Sequence, residues 1–389
     1  MDLTRLQAAL TERKIDAWLF YDHHHRDPIA YRILGLPTSL HVTRRWYYLV
    51  PAKGQAKKLV HRIESHHLDP LPGGGDAYST WQEQQEKVKS MVNGFKNLAM
   101  QYSPMNVIPY IGLVDAGTVE LVRSAGVNVV SSGDLVAMFE AVLSEDQIRS
   151  HFDARDAIDP VMQAAFQEIG RRCADHGSTN EWEIAQFILS AFERANLTSD
   201  STPIVAVNAH ASDPHYAPSA EVHSAIKKGD FVLLDMWGKK NTPNAVFYDI
   251  TWTGVVGRAP SDREIDVFNL VRKARDTGVT HINQALSTRG KLCGWEVDQA
   301  VRDVITDAGY GKYFIHRTGH SIGVDIHSNG ANIDNFETKD EREILNNTLF
   351  SIEPGVYLPE FGVRSEFDVL VRNGAAESTG RVQEQLLVI

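Results

Sequence analysis

Two stretches, Phe231-Val232-Leu233-Leu234-Asp235 and Phe247-Tyr248-Asp249-Ile250-Thr251, each set an aspartate in or at the end of an apolar, β-rich run. Three more charged or imidazole positions follow in similar settings. His320 lies in Thr318-Gly319-His320-Ser321-Ile322-Gly323, Glu353 in Phe350-Ser351-Ile352-Glu353-Pro354-Gly355, and Glu366 in Gly362-Val363-Arg364-Ser365-Glu366. A charge in such a run is costly unless it is paired or metal-bound. Any one of these acids is explained by a salt bridge or by facing water. Together they make an oxygen-rich set with one imidazole nitrogen, which suits two divalent ions such as Mn, Co, Fe or Zn. Four negative charges balance two dications and leave room for a bridging hydroxide. A metal pair can activate that hydroxide and hold a substrate carbonyl. Spacing alone does not bring the five together.

Outward from these runs, the second part of the chain reads as α+β. Strands are expected at Val205 to Val207, Phe231 to Leu234, Val246 to Thr253, Phe350 to Val356 and Val363 to Val371. Helices are expected at Asp262 to Leu286 and Glu296 to Ala308. Ser144-Glu145-Asp146 is an N-cap signature before a long helical pattern, Ile148 to Ala174, as one helix or two with a bend near Pro160. A further helix, Trp182 to Ala195, is capped by Thr179. The first part alternates strand and helix patterns, as a small α/β domain does. Its strands are expected at Ala17 to Phe20, Trp46 to Val50, Val107 to Ile111 and Val127 to Val130, with helices at Trp81 to Phe95 and Ala116 to Ala125. The boundary is placed at 143/144, giving domains 1–143 and 144–389.

Composition sets the outer limits. The chain has 389 residues, 43% hydrophobic and 23% charged, which is ordinary for a globular protein with a sizeable core. Lys plus Arg is 39 and Asp plus Glu is 50, a net charge of −11. That acidic balance argues against a nucleic-acid partner. Met1 to Leu19 carries charges throughout, so no signal peptide is expected. No run of about 18 apolar residues exists, so no membrane span is expected. Two cysteines, Cys173 and Cys293, cannot build a disulfide framework, and a reduced cytoplasm is the expected setting.

The ordered motifs resemble the metallopeptidase family of methionine aminopeptidase, aminopeptidase P and prolidase, family M24, with the pita-bread fold. Leu233-Leu234-Asp235, Tyr248-Asp249-Ile250-Thr251, Phe314 through His320 to His327, Glu353-Pro354-Gly355-Val356-Tyr357 and Gly362 to Glu366 match its five motifs in order. The resemblance covers roughly residues 150 to 389. The preceding domain resembles the N-terminal domain of creatinase, aminopeptidase P and prolidase, which implies the proline-directed branch. The implied fold is a pita-bread catalytic domain behind a smaller creatinase-type α/β domain. The implied metal ligands are Asp235, Asp249, His320, Glu353 and Glu366, holding two divalent ions, manganese first, with cobalt or zinc as alternatives. Asp235 would chelate one ion, Asp249 and Glu366 would bridge both, and His320 and Glu353 would complete the other site. Glu353 would also shuttle the proton of the attacking water. His215, His316 and His327 would contact substrate or its tetrahedral intermediate, and Arg364 would anchor the metal carboxylates.

The implied activity is hydrolysis of the Xaa-Pro bond, as a Xaa-Pro dipeptidase acting on proline-containing dipeptides or short peptides. Aminopeptidase P is the alternative. A metal-free creatinase-like hydrolase and a non-catalytic binding protein are weaker readings, since all five ligands are present. A homodimer is implied by the family. Three departures bear on substrate preference. Asp235 and Asp249 are 14 apart, wider than usual, with the extra residues read as a longer turn within Gly238 to Asn244. Ser321 and Ser328 replace the more usual Gly and Glu, and Trp252 stands where an Arg or similar residue often follows.

Other motifs read as decoys. Gly319-His320-Ser321-Ile322-Gly323 fits G-x-S-x-G, but Val324 to Asn332 has no helical pattern behind it. His23-His24-His25 reads as a solvated loop, with reach toward a neighbouring subunit's active site as a second reading. Pro72-Gly73-Gly74-Gly75 lacks the ending of a phosphate loop and reads as a turn. His61, His66 and His67 are expected to face solvent. Lys339 and Arg342 read as surface charges, either of which could hold a dipeptide's carboxylate.

Overall fold

The computed structural model describes residues 1–389, which form two compact units, Met1–Glu140 and Ala141–Ile389. The first unit is an α/β layer built on a six-stranded sheet of order β4-β3-β2-β1-β5-β6. Its strands are β1 (Ala17–Asp22), β2 (Trp46–Pro51), β3 (Lys57–His61), β4 (Gly74–Tyr78), β5 (Asn97–Met100) and β6 (Asn128–Ser131). Its helices are α1 (Leu3–Glu12), α2 (Pro28–Leu34), α3 (Trp81–Val92), α4 (Ala116–Arg123) and α5 (Gly133–Glu140). β1 and β2 are buried along their whole length, because apolar clusters cover both sheet faces. Two expectations fail here. Val107 to Ile111 is no strand: Pro104 and Pro109 each open a short 3₁₀ turn, at Pro104–Asn106 and Pro109–Ile111, and proline has no N–H to give a ladder. The glycine run is only partly a turn. Gly73, at φ 110°, makes the bend, and Gly74 and Gly75 begin β4 at the sheet edge.

The second unit starts with α6 (Glu145–His176), capped by Ser144 and Gln147 in a reciprocal box. It is one 32-residue helix running through Pro160. Pro160 sits on the exposed side, as does Asp156, whose carbonyl proline leaves unbonded, so water can satisfy it. β7 (Ser178–Asn180), α7 (Glu181–Arg194), β8 (Leu197–Thr198), β9 (Ile204–Val207) and β10 (Ala225–Lys227) follow. The N-cap of α7 is Asn180 rather than Thr179, whose hydroxyl instead bonds Glu183. The long pair β11 (Phe231–Lys240) and β12 (Tyr248–Val255) packs Val232, Leu234, Met236, Tyr248 and Ile250 against α6 residues Ile158, Met162 and Phe166. α8 (Asp262–Arg289) and α9 (Gly294–Asp307) then pack on one another.

The remaining strands are β13 (Ser321–Ile322), β14 (Thr348–Ile352), β15 (Gly355–Tyr357), β16 (Gly362–Arg364), β17 (Phe367–Arg372), β18 (Ala375–Ser378) and β19 (Leu387–Val388). The two strands expected at Phe350 to Val356 and Val363 to Val371 are each broken, at Glu353-Pro354 and at Ser365-Glu366. No helix follows Ser321, so the nucleophile-elbow geometry is absent. No helix of the chain is long and apolar enough to cross a membrane.

Candidate metal centre

The floor of the site is the face of β11 and β12 turned away from α6. Alternation along β12 sends Tyr248, Ile250 and Trp252 into the core and puts Asp249, Thr251 and Thr253 on the other face. On β11 the same alternation leaves Asp235 on that face. In the antiparallel register Asp235 stands opposite Thr251 and Asp249 opposite Trp237. The two aspartates are thus diagonal neighbours, about 7–8 Å apart at the backbone. Part of the wider spacing between them goes into strand rather than turn, since Lys239 and Lys240 pair with β8.

The breaks in the last strands place the two glutamates. Ile352 pairs with Phe367 before the break and Gly355 with Arg364 after it. Both pairs belong to one register, so Glu353 lies opposite Glu366. Pro354 cannot donate to the ladder, and neither glutamate N–H bonds across it. Glu353 N–H donates to the Thr318 carbonyl at 2.8 Å, and Glu366 N–H to the Thr251 carbonyl at 3.2 Å. One glutamate is drawn toward the His320 segment and the other toward β12.

The side chains then converge. Ligand atoms of Asp249, His320 and Glu366 all lie within 4.8 Å of one another. His320 Nε2 is 3.6 Å from Asp249 Oδ2 and 3.4 Å from Glu353 Oε1. Asp235 gives one oxygen to the Arg364 guanidinium. Arg364 is buried and also donates to Thr251 Oγ1 (3.2 Å) and Tyr357 Oη (3.1 Å). Thr251 donates onward to Glu366 Oε2 at 2.5 Å.

One buried arginine does not neutralise this set. Burial first, then repulsion from Asp235 and Glu353, holds the Asp249 carboxyl well above its usual range. Burial, Asp249 and Glu353 do the same to Glu366. Burial also raises Glu353 and lowers the His320 imidazole. Asp235 Oδ1 and Asp249 Oδ1 are buried and accept no hydrogen bond. Unpartnered anionic oxygens in a dry site are expensive, and divalent cations are the partner such a donor set fits.

The other expected residues divide by position. Both His316 nitrogens are engaged, Nδ1 with the Arg317 carbonyl and Nε2 with Tyr357 Oη, each at 2.6 Å. Burial and the Arg364 charge hold its pKa down at about 3. His327 is exposed, with its ring 4.4 Å from that of His320. His215 is exposed too; partial desolvation of the His327 ring by the site walls, then His320, Arg317 and His215, lower the His327 pKa. The His215 loop is held by Glu181, fully buried, which accepts from Val207 N, Tyr216 Oη and Ser224 N and pairs with His210.

Arg342 and His67 are corrected, while Lys339 is exposed as expected. Arg342 is buried and doubly bonded to Asp340, with its third nitrogen on the Asn329 carbonyl. Lys339 is paired with Glu341 at 2.7 Å. Neither is a free cation for a substrate carboxylate. His67 is half-buried beside Glu64 at 3.4 Å, not solvent-facing.

Three supporting residues escaped the sequence reading. Thr251 links Arg364 to Glu366. Ser351 Oγ donates to Glu353 Oε1 at 3.1 Å and accepts the His320 N–H at 3.0 Å. Asp368 Oδ2 accepts the Asp249 N–H at 2.8 Å. Each stands two positions from an acidic residue of the site on a neighbouring strand position. A polar residue at that spacing was the available signal.

Comparison with known proteins agrees with this geometry. Residues 152–373 match metallopeptidase family M24. An uncharacterized peptidase of Schizosaccharomyces pombe is 29% identical over 94% of this chain and 78% of its own length. A putative Xaa-Pro aminopeptidase of Mycoplasma pneumoniae is 34% identical over 49% of this chain and 50% of its own length. The crystal structure of the prolidase from Pyrococcus horikoshii superposes with a TM-score of 0.61 at 22% identity, covering 99% of each chain. With a family match over more than half its length and a buried carboxylate–imidazole cluster that fits divalent metal, the chain belongs to metallopeptidase family M24.

Proposed function

We propose that the chain is a Xaa-Pro exopeptidase, first a Xaa-Pro dipeptidase. The observation that carries this reading is the pair of buried, unpartnered oxygens on Asp235 and Asp249 beside His320, Glu353 and Glu366. These five residues would hold two divalent ions, manganese first. When bound, such ions supply Lewis acidity toward a carbonyl oxygen and make water a stronger acid. Glu353, which accepts a hydrogen bond from Ser351, would take the proton of the attacking water and return it to the departing amine. Arg364 and Thr251 orient Asp235 and Glu366, and Tyr357 and His316 fix Arg364. His327 and His215, both exposed, would meet the substrate. The first unit would be the creatinase-type accessory domain, and the working assembly a homodimer.

A proline nitrogen makes a tertiary amide of fixed geometry, which a shaped pocket and a polarised carbonyl can handle. The names of similar proteins divide between prolidase and Xaa-Pro aminopeptidase, and the latter gives the second reading. The unpartnered oxygens weigh against a metal-free, creatinase-like chemistry. The test is hydrolysis of Ala-Pro and of Ala-Pro-Ala by metal-stripped protein with Mn, Co or Zn added back separately. Metal-dependent cleavage of the dipeptide alone supports the dipeptidase. Cleavage of the tripeptide moves the assignment to the aminopeptidase. No cleavage of either by protein that has bound two metals removes the Xaa-Pro reading.

A further inference from the structure

The first unit holds a cavity of 420 Å³ that the peptidase reading does not use. Tyr21 and Gln84 line it together with His23 and Arg26, from the loop after β1, and Arg45, just before β2. Its volume lies in the range of about 300–1,000 Å³ usual for small-molecule sites.

Charge is unbalanced there. Arg26 has neither an ion pair nor a hydrogen bond, and the side chain of Arg45 has only a long one, Nη1 to Gln84 Oε1 at 3.5 Å. The one lining carboxylate, Asp115, is committed as the cap of α4, accepting from Thr118 N at 2.9 Å and Thr118 Oγ1 at 2.8 Å. Gln84, 3% exposed, is fixed by the Tyr47 hydroxyl with its carboxamide oxygen toward Arg45.

The loop that carries His23 and Arg26 is strained. His24 and His25 both adopt left-handed backbone, at φ 61° and 55°. Buried Asp22 enforces this by accepting from His25 N (3.0 Å), Asp27 N (3.1 Å) and the Tyr31 hydroxyl (2.7 Å). Such strain, about 1–3 kcal/mol per residue, collects at ligand clamps and persists only where its surroundings over-determine it. Its effect here is to turn His23 and Arg26 onto the cavity that Arg45 also lines. His23 lines the same cavity, and its pKa is lowered by burial first, then by His24 and by the Arg45 and Arg26 charges.

We propose that this cavity is a second ligand site, for a small molecule whose carboxylate or phosphate group is taken by the Arg26 and Arg45 guanidiniums. Planar guanidiniums match either oxyanion in a two-pronged fashion. The His23 ring is left for the remainder of the ligand.

The test is calorimetric titration of metal-stripped full-length protein, so that the metal centre does not compete, with inorganic phosphate and separately with succinate at constant ionic strength. The expected result is saturable one-to-one binding of at least one probe. It should weaken by about tenfold or more in the R26Q/R45Q double variant and hold in Lys53→Gln, which removes one exposed positive charge elsewhere in the unit. Preference for phosphate or succinate then identifies the oxyanion. Arg26→Lys with Arg45→Lys keeps the charge and loses the fork, and should lie between. Unchanged melting temperatures show that these surface variants are folded. No saturable binding of either probe, affinity kept within about threefold in the double variant, or an equal loss in Lys53→Gln would overturn the proposal.

Discussion

Tyr357→Phe isolates the link between the metal-site arginine and the buried histidine beside it. The direction of each hydrogen bond follows from His316. Its Nδ1 faces the Arg317 carbonyl, which can only accept, so Nδ1 carries the proton and Nε2 is an acceptor. Tyr357 therefore donates to His316 Nε2 at 2.6 Å and accepts from Arg364 Nη1 at 3.1 Å. Deleting the hydroxyl strands a buried acceptor and one N–H of a guanidinium that is 3% exposed. The neutral bond is worth about 1 kcal/mol and the charged donor about 2, so the variant should lose about 3 kcal/mol. With a urea slope of about 3 kcal/mol per molar for a unit of this size, the midpoint falls by about 1 M. Urea unfolding of metal-stripped protein at pH 8, followed by tryptophan fluorescence, reads it. Tyr313→Phe is the control, since the Tyr313 ring stacks near Tyr310 while its hydroxyl makes no hydrogen bond. A midpoint within about 0.2 M of wild type, or an equal drop in the control, would refute the network.

Asp249→Asn removes one negative charge from a buried cluster whose carboxyls already repel one another. The metal-stripped variant should melt above metal-stripped wild type at pH 8, yet gain nothing from added Mn. A lower melting point in chelator would contradict the electrostatic account. His151, 1% exposed, donates from Nδ1 to the Phe247 carbonyl and accepts from Thr379, and burial brings its pKa from 6.5 to about 4. The unfolded chain binds this proton more readily, so the contribution, about 3 kcal/mol, is complete above pH 6.5 and lost as pH falls toward 4. An imidazole NMR titration of His151 with a midpoint near 6.5 would sink it. Gly319→Ala puts a Cβ 1.9 Å from the Ser351 carbonyl oxygen on β14. It should abolish soluble expression of the second unit, and a soluble variant melting within about 2 °C of wild type would disprove the close approach.

Much of the fold was legible because amphipathic periodicity and caps are local. Ser144-Glu145-Asp146 announces α6, which the structure caps with a Ser144–Gln147 box, and the helical pattern from Asp262 to Leu286 announces α8. What misled was chemistry that overrides composition. Val107-Ile108 is β-branched and apolar, yet flanking prolines leave nothing for a ladder to bond. Gly74 and Gly75 look like turn residues but lie at a sheet edge, where missing side chains cost little packing. Of the two readings left open around Pro160, one helix or two, the single helix holds, and the exposed position of the proline explains why the helix passes through it.

The site was legible as a set of residues and illegible as a geometry. Asp235 and Asp249 stand out because they interrupt apolar runs. Nothing local shows that Glu353 and Glu366 face each other, since that depends on a register spanning Ile352–Phe367 and Gly355–Arg364. Pro354 is the one sequence cue to the break. Glu353 and Glu366 form a non-hydrogen-bonded pair, next to the bond that the Ser365 N–H gives the Pro354 carbonyl at 3.4 Å, so neither glutamate N–H is spent on the opposite strand. Instead the two N–H groups bond Thr318 and Thr251, tying one glutamate to the histidine segment and the other to β12. The ligands meet because the register sets the two glutamates opposite each other while their outward N–H groups anchor on the segments that carry His320 and Asp249.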